Sequence, residues 1–93
     1  MPNSAGNAET TFKAASATSI QLLPGNFKRK GATVQNTSSA LMYLKLGSVA
    51  AADSFTFSMN QNDYFEVPFG YTGRIDAVWA SAPGGGAMIT ELE

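Results

Sequence analysis

The chain has 93 residues, which allows one domain at most, because a core of this size cannot be divided between two independently folded units. Six basic and seven acidic residues give a net charge of −1, so the chain lacks the strong positive charge typical of nucleic-acid-binding domains. Histidine and cysteine are both absent, which excludes an imidazole general base, a thiol nucleophile, a Cys/His zinc site and a disulfide.

Residues 1–18 are predicted to form an N-terminal arm. They are mostly small and polar, Phe12 is their one aromatic residue, and they show neither strand nor helix periodicity. Such a segment is either flexible alone or ordered against a partner. It lacks the basic and apolar regions of a signal peptide, and no run of about 18 apolar residues occurs in the chain, so neither a signal peptide nor a membrane span is predicted. We therefore expect a protein that is synthesised and folded in a cytoplasm.

From residue 19 onwards, short apolar runs are separated by turn residues at the spacing of about 8 to 12 residues that is typical of antiparallel sandwiches and barrels. Clusters of Gly, Pro, Asn and Ser close most of the runs, as in Pro24-Gly25-Asn26. The pattern predicts strands at residues 19–23, 31–36, 41–46, 55–59, 64–67, 74–80 and 87–92.

Alternation within these runs supports the strand prediction, because every second side chain of a strand lies on the same face. One segment, residues 48–53, could form a single helical turn. We predict an all-β fold: an antiparallel β-sandwich, jelly-roll-like, of about seven strands over residues 19–93. The residues expected to share a face are Phe55, Phe57 and Met59 in one strand, Met42, Leu44 and Leu46 opposite Tyr43 and Lys45 in another, and Ile75, Ala77 and Trp79 opposite Asp76 and Val78 in a third.

Two outward surfaces are predicted to be apolar. The first contains Tyr43 and Val78, and the second is the turn at residues 68–73. A domain this small has few places to bury Phe69, Tyr71 and Trp79 together, so a neighbouring subunit could cover part of this surface. The alternative is that these aromatic residues plug one end of the sandwich.

Paired carboxylates are the remaining route to acid/base catalysis, and the candidates are Asp53, Asp63, Glu66 and Asp76. Asp63 and Glu66 are three residues apart at the start of a predicted strand, and a regular strand sends such a pair to opposite faces. A glycoside hydrolase also needs two carboxylates across a cleft, for which a thin sandwich leaves little room. We predict no catalytic residue and no enzymatic activity.

Two loops have compositions that invite a ligand-binding interpretation. Residues 60–63 (NQND) offer oxygen ligands but lack the spaced carboxylates and the final glutamate of a calcium loop, so a hairpin turn is predicted. Residues 84–86 (GGG) are followed neither by a helix nor by a Lys-Ser/Thr pair, which argues against a phosphate-binding loop. No metal and no cofactor is predicted.

Lys28, Arg29 and Lys30 form a basic cluster between Phe27 and a predicted edge strand. With Tyr43 they could act as the cations and stacking platform of a single-strand nucleic-acid binder, although such proteins place several aromatic residues on one sheet face. The alternatives are a solvated edge that discourages sheet association, or a contact with acidic groups of a protein partner. We favour these alternatives over nucleic-acid binding.

Several segments resemble small virion proteins of tailed phages and prophages. Residues 29–38 (RKGATVQNTS) and 41–47 (LMYLKLG) are similar to that group's basic-Gly start, apolar-x-apolar-Gln-Asn-x-Ser run and Tyr-apolar-x-apolar-Gly strand. Residues 66–75 (EVPFGYTGRI), leading to 78–80 (VWA) and to the ending ITE at 89–91, resemble the same group. The resemblance covers about residues 20–93 and contains no catalytic motif. It implies a capsid decoration (cement) protein or a part of a head fibre or tail tip, often a trimer.

The resulting hypothesis is a homotrimeric capsid decoration protein that binds the major capsid protein on the outer surface of the virion and is made in the host bacterial cytoplasm. Nucleic-acid and membrane contacts are not predicted. The alternative is a receptor- or glycan-binding module of a phage fibre or tail tip, since exposed Tyr and Trp beside Asn and Asp suit sugar stacking. The assigned residues are Phe12 and Lys13 for arm contact with the capsid, Lys28, Arg29 and Lys30 for charged partner contact, and Tyr43, Phe69, Tyr71 and Trp79 for an oligomer interface or the core end.

Overall fold

The computed structural model describes residues 5–93, and their regular secondary structure consists of β-strands alone. The all-β prediction is therefore confirmed for this part of the chain. Residues 48–53 form a loop with a single bridge from Ala51 to Ser54, so the one segment that could have formed a helical turn does not do so. The eight strands are β1 (Ala8–Ala14), β2 (Ile20–Leu23), β3 (Gly31–Asn36), β4 (Met42–Leu46), β5 (Phe57–Met59), β6 (Tyr64–Val67), β7 (Ile75–Trp79) and β8 (Gly86–Leu92).

The strands form two four-stranded sheets in which all neighbouring strands are antiparallel. Sheet A has the order β1-β8-β3-β6, and sheet B has the order β2-β7-β4-β5. Most connections cross from one sheet to the other, and β4 and β5 form the one pair that is consecutive in both sequence and sheet. This order is that of an eight-stranded jelly roll. Within residues 5–93, no helix has the length and hydropathy that crossing a membrane requires.

The core lies between the two sheets and is built from alternate residues of most strands. Sheet A contributes small and branched side chains, among them Val34 and Ile89, whereas sheet B contributes the larger ones, including Met42 and Trp79. Asp76 and Val78 project from the other face of β7, as the alternation of the sequence predicts. The inward side chains thus form one continuous apolar cluster that holds the sheets together.

Phe55 is an exception to the predicted alternation. Strand β5 begins only at Phe57, so Phe55 is not held in the pleat of the strand. Its ring lies 5.0 Å from that of Tyr43, on the outer face of sheet B, while Phe57 stacks at 5.1 Å on Phe65 of β6. The prediction that Phe55, Phe57 and Met59 share one face is therefore wrong for Phe55.

Strand β1 lies within the segment that was predicted to be an arm without regular structure. Residues 8–14 pair along their whole length with β8, so the domain has eight strands and not seven. The sequence of β1 has no apolar periodicity because the strand buries neither face: six of its seven residues are exposed and Thr11 is half-buried. A strand that is held mainly by backbone hydrogen bonds leaves no apolar alternation in its sequence. The first four residues of the predicted arm lie outside the described residues.

The C-terminal end of β1 packs closely against β8 because the residue opposite Ala14 is Gly86, which has no side chain. A Cβ atom at position 86 would collide with the carbonyl oxygen of Lys13 and approach the Cα atom of Ala14 to 2.8 Å. We expect Gly86→Ala to detach this end of β1 and to accelerate tryptic cleavage after Lys13 by about tenfold, the effect of ~1.4 kcal/mol on a local opening equilibrium. Gly84→Ala is the matched control, because a Cβ atom there meets nothing within 4 Å. Equal cleavage rates for the two variants, measured by mass spectrometry, would contradict this account.

Candidate interaction surface

Arg29 is the most deeply buried charged side chain of the basic cluster, and it ties together loops at one end of the sandwich. Its guanidinium donates to Glu91 Oε2 (2.8 Å), to the Pro24 carbonyl (2.6 Å) and to the Gly73 carbonyl (2.8 Å). The side chain has 0% of its surface exposed. The prediction of a charged partner contact is therefore wrong for Arg29, because no part of its side chain can reach a partner. Its planar fork suits these spread acceptors in a way that lysine could not.

The two lysines beside Arg29 differ from it in environment. Lys28 is exposed and Lys30 is half-buried next to the outer face of sheet A. Phe27, at the tip of the same loop, has 85% of its surface exposed. The loop is fastened to the turn at residues 68–73 by a hydrogen bond from Asn26 N to Thr72 O. The basic cluster is thus reduced to two available cations, which is a weak electrostatic surface for a polyanion.

The carboxylate candidates are separated from one another and serve local structure. Asp63 accepts a hydrogen bond from Asn60 N and closes the hairpin turn predicted at residues 60–63. Asp76 is buried on the outer side of sheet B, where it accepts hydrogen bonds from Val49 N (2.8 Å) and Arg74 Nε (2.7 Å). That contact raises the pKa of the Arg74 guanidinium above its ordinary value, mainly through the hydrogen bond. Within residues 5–93, no three acidic side chains are grouped as a metal site would require.

The outer face of sheet B has a shallow apolar groove of about 460 Å³. Tyr43 and Val78, which the sequence places on an outward apolar face, lie opposite each other and line it. The loop at residues 49–52 forms one wall, held by Asp76 and by a hydrogen bond from Ala50 N to Ser19 Oγ. Tyr43 and Val78 are both half-buried, because the loop at residues 49–52 already covers part of this face.

The aromatic residues assigned to a core end or an oligomer interface fall into different environments. Trp79 is 2% exposed and donates from Nε1 to Asn36 Oδ1, which places it in the core. Tyr71 packs partly against the core and donates its hydroxyl hydrogen to the Arg74 carbonyl. Phe69 has 66% of its surface exposed in the turn that follows β6. Of the three, Phe69 remains available to a partner.

The outer face of sheet A presents a row of exposed apolar side chains. The pairing registers place Phe12, Met88, Gln35 and Tyr64 in one row across all four strands. Phe12, Met88 and Tyr64 are 51%, 40% and 68% exposed, although side chains of this kind are usually covered. This row joins Phe12, the predicted arm contact, to two residues that the sequence reasoning missed. Alternation in β6 and β8 would have found them, because Tyr64 and Met88 occupy outward positions beside inward Phe65 and Ile89.

A second row on the same face is formed mainly by threonine. Thr10, Thr90 and Thr33 are cross-strand neighbours, and Glu66 follows on β6. The hydroxyls of Thr10 and Thr90 are 3.0 Å apart and hydrogen-bonded. Among the outward positions of the four described strands, Glu66 is the one charged residue. The sheet A face, defined by these two rows, is therefore a wide, nearly uncharged surface of apolar and hydroxyl side chains, which suits contact with another protein.

Comparison of the chain with family models, curated proteins and solved structures gives no match.

Proposed function

We propose that the protein is a structural component of a phage virion, a decoration protein that binds the outer capsid surface through the sheet A face. The observation that carries the proposal is the exposed row of Phe12, Met88 and Tyr64 on a face with one charged residue. A protein that must cover a neighbour needs a broad contact surface more than a cleft. Decoration of a capsid uses such a surface directly.

Three further features support this assignment. Eight-stranded jelly rolls are common in viral capsid proteins, which is an argument by analogy. The chain has a low charged fraction, 14% against about 25% in a typical domain, so little charge must be desolvated on contact. The sequence resemblance to small virion proteins points to the same class. The contact residues are Phe12, Met88 and Tyr64, with Lys28 and Lys30 in the loop that leads into β3.

The double variant Tyr64→Ser/Met88→Ser tests the proposal. Both side chains are exposed on strands of sheet A, so their truncation leaves the core intact. We expect capsid binding to weaken by about 30-fold, since an interface anchor of this size typically contributes ~2 kcal/mol. The measurement is co-sedimentation of the purified variant with capsids of the encoding phage that were prepared without the protein.

Phe27→Ser is the matched control, because Phe27 is more exposed than either test residue but lies in the loop between β2 and β3. If Phe27→Ser weakens binding while the double variant does not, the docking face is at the loop end and the assignment to sheet A is wrong. The wild-type copy number in purified virions separates the classes: hundreds of copies indicate decoration, whereas a handful indicate a fibre or tail tip. Retention on DNA with a steep dependence on salt would instead indicate nucleic-acid binding.

A further inference from the structure

Strand β1 is the terminal strand of sheet A and is paired with β8 on one side only. Its other edge is unpaired, and this free edge is distinct from the sheet A face. Asn7 and Glu93 exchange both backbone hydrogen bonds, and antiparallel pairs alternate between bonded and non-bonded residues. Residues 9, 11 and 13 therefore direct their backbone groups towards β8. Those of Ala8, Thr10, Phe12 and Ala14 point away from the domain.

The sequence of this edge is complementary to itself in the antiparallel direction. Around Thr11, the strand AETTFKA places Glu9 and Lys13 at equal distances on either side. When two copies run antiparallel with Thr11 on a two-fold axis, Glu9 of each copy lies opposite Lys13 of the other. We propose that two copies of this chain associate through β1, joining two A sheets into one continuous eight-stranded sheet across a two-fold axis.

The backbone geometry agrees with this register. Thr10 then lies opposite Phe12 of the second copy, and Ala8 opposite Ala14, so the four residues with free backbone groups form the hydrogen-bonded pairs. Glu9 and Lys13 occupy non-hydrogen-bonded positions, where cross-strand side chains approach most closely. Shifting the register by two residues in either direction keeps the backbone bonds but removes both charge pairs. The charges therefore select the symmetric register.

The domain itself leaves these two charges without partners. The two ion pairs within residues 5–93 are Arg29–Glu91 and Arg74–Asp76, and neither includes Glu9 or Lys13. Inside the domain the residue opposite Glu9 is Glu91, a like charge, which is unfavourable across a strand pair. Lys13 of a second copy would supply a cation on the free side of Glu9. Phe12 of each copy would also become a diagonal neighbour of the other, since aromatic side chains reach that distance.

An isolated lysine on an edge strand commonly prevents sheet association. Lys13 does so for any register that leaves it opposite an uncharged residue, which protects the strand from indiscriminate pairing. Combined with Glu9 at the symmetric position, the same lysine favours one closed dimer. A two-fold interface of this kind is self-limiting, because the pairing consumes the free edge of both copies.

The decisive test uses two variants, Glu9→Lys and Lys13→Glu, each of which reverses one of the two charges. In Glu9→Lys homodimers, lysine would face lysine, and in Lys13→Glu homodimers, glutamate would face glutamate. We expect each single variant to self-associate at least about tenfold more weakly than the wild type, because two favourable pairs become two unfavourable ones. An equimolar mixture of the two variants restores both opposite-charge pairs and should form a heterodimer. The measurement is sedimentation equilibrium over a concentration series at low ionic strength.

A cysteine cross-link tests the register, and the absence of native cysteine makes the result unambiguous. Thr11→Cys places two thiols across the proposed axis at a non-hydrogen-bonded position, so mild oxidation should give a disulfide-linked dimer. Thr10→Cys is the control, one residue away, because it would lie opposite Phe12 of the second copy. Efficient dimer formation by Thr10→Cys but not Thr11→Cys would overturn the register.

Three other results would each refute association through β1. These are a wild-type chain that stays monomeric at millimolar concentration, a trimer, and an oligomer that neither charge variant affects. Circular dichroism of Glu9→Lys and Lys13→Glu confirms that both fold, which is expected because both residues are exposed. These solution measurements need no capsid, so their result is separate from that of the proposed decoration function.

Discussion

Replacing Asn36 with alanine is expected to lower the free energy of unfolding by about 3 to 5 kcal/mol. Asn36 is 0% exposed and makes hydrogen bonds with all the donors and acceptors of its amide. Its Nδ2 donates to the carbonyls of Ala40 (2.8 Å) and Met59 (3.0 Å). Its Oδ1 accepts from Ser38 N, Ser38 Oγ and Trp79 Nε1.

The size of the effect follows from the position of this amide between the two sheets. Asn36 ends β3 in sheet A, while Met59 and Trp79 belong to sheet B. Alanine would remove this partner from the Met59 carbonyl and Trp79 Nε1 on sheet B and from Ser38 N in the loop between β3 and β4, each at a penalty of about 1 to 3 kcal/mol. In the wild type, no buried side-chain nitrogen or oxygen within residues 5–93 lacks a hydrogen bond, so the unpaired groups of the variant would be new to this core.

Urea denaturation followed by Trp79 fluorescence measures this change, because Trp79 is the one tryptophan of the chain and contacts Asn36 directly. Gln35→Ala is the matched control. Gln35 precedes Asn36 but is exposed on the outer face, so a change below about 0.5 kcal/mol is expected there. Similar losses for the two variants would show that the buried network does not stabilise the fold.

Replacing Arg29 with methionine is expected to lower the free energy of unfolding by about 3 to 5 kcal/mol, because removing one partner of a buried ion pair leaves the other uncompensated. Glu91 would lose its cation, with only 14% of its side-chain surface exposed. The carbonyls of Pro24 and Gly73 would lose a donor as well. Methionine has similar length and fills the space, so the loss reports hydrogen bonding and charge more than packing.

A second substitution, at Glu91, separates the cost of the unpaired carboxylate from the cost of the lost hydrogen bonds. In Arg29→Met/Glu91→Gln the unpaired carboxylate is gone, so the double variant should recover about 1 to 2 kcal/mol relative to Arg29→Met alone. Lys28→Met, an exposed neighbour in the same loop, should change stability by less than about 0.5 kcal/mol. Chemical denaturation of the wild type and the three variants gives the free energies of unfolding needed for this comparison. Equal stabilities for Arg29→Met and Lys28→Met would remove the structural role assigned to Arg29.

Arg29 also shows where composition misleads. In the sequence, Lys28, Arg29 and Lys30 form a single basic cluster, and nothing local distinguishes its members. The structure buries the middle residue because the Pro24 carbonyl of the same loop, the Gly73 carbonyl of the loop before β7 and a carboxylate from β8 converge on it. Gly73 and Glu91 are 44 and 62 residues away along the chain, so no local window around the cluster contains both of these partners.

Much of the sandwich follows from the sequence alone, since a strand with one buried face must alternate and a turn must contain residues that permit it. This is why seven of the eight strands were predicted close to their bounds, together with the outward positions of Tyr43 and Val78. Tertiary pairing alone decided the rest: the recruitment of β1 to β8, the burial of Arg29 and the assembly of Phe12, Met88 and Tyr64 into one row. Local periodicity records whether a residue is covered, but not which distant strand covers it or which edge is left open.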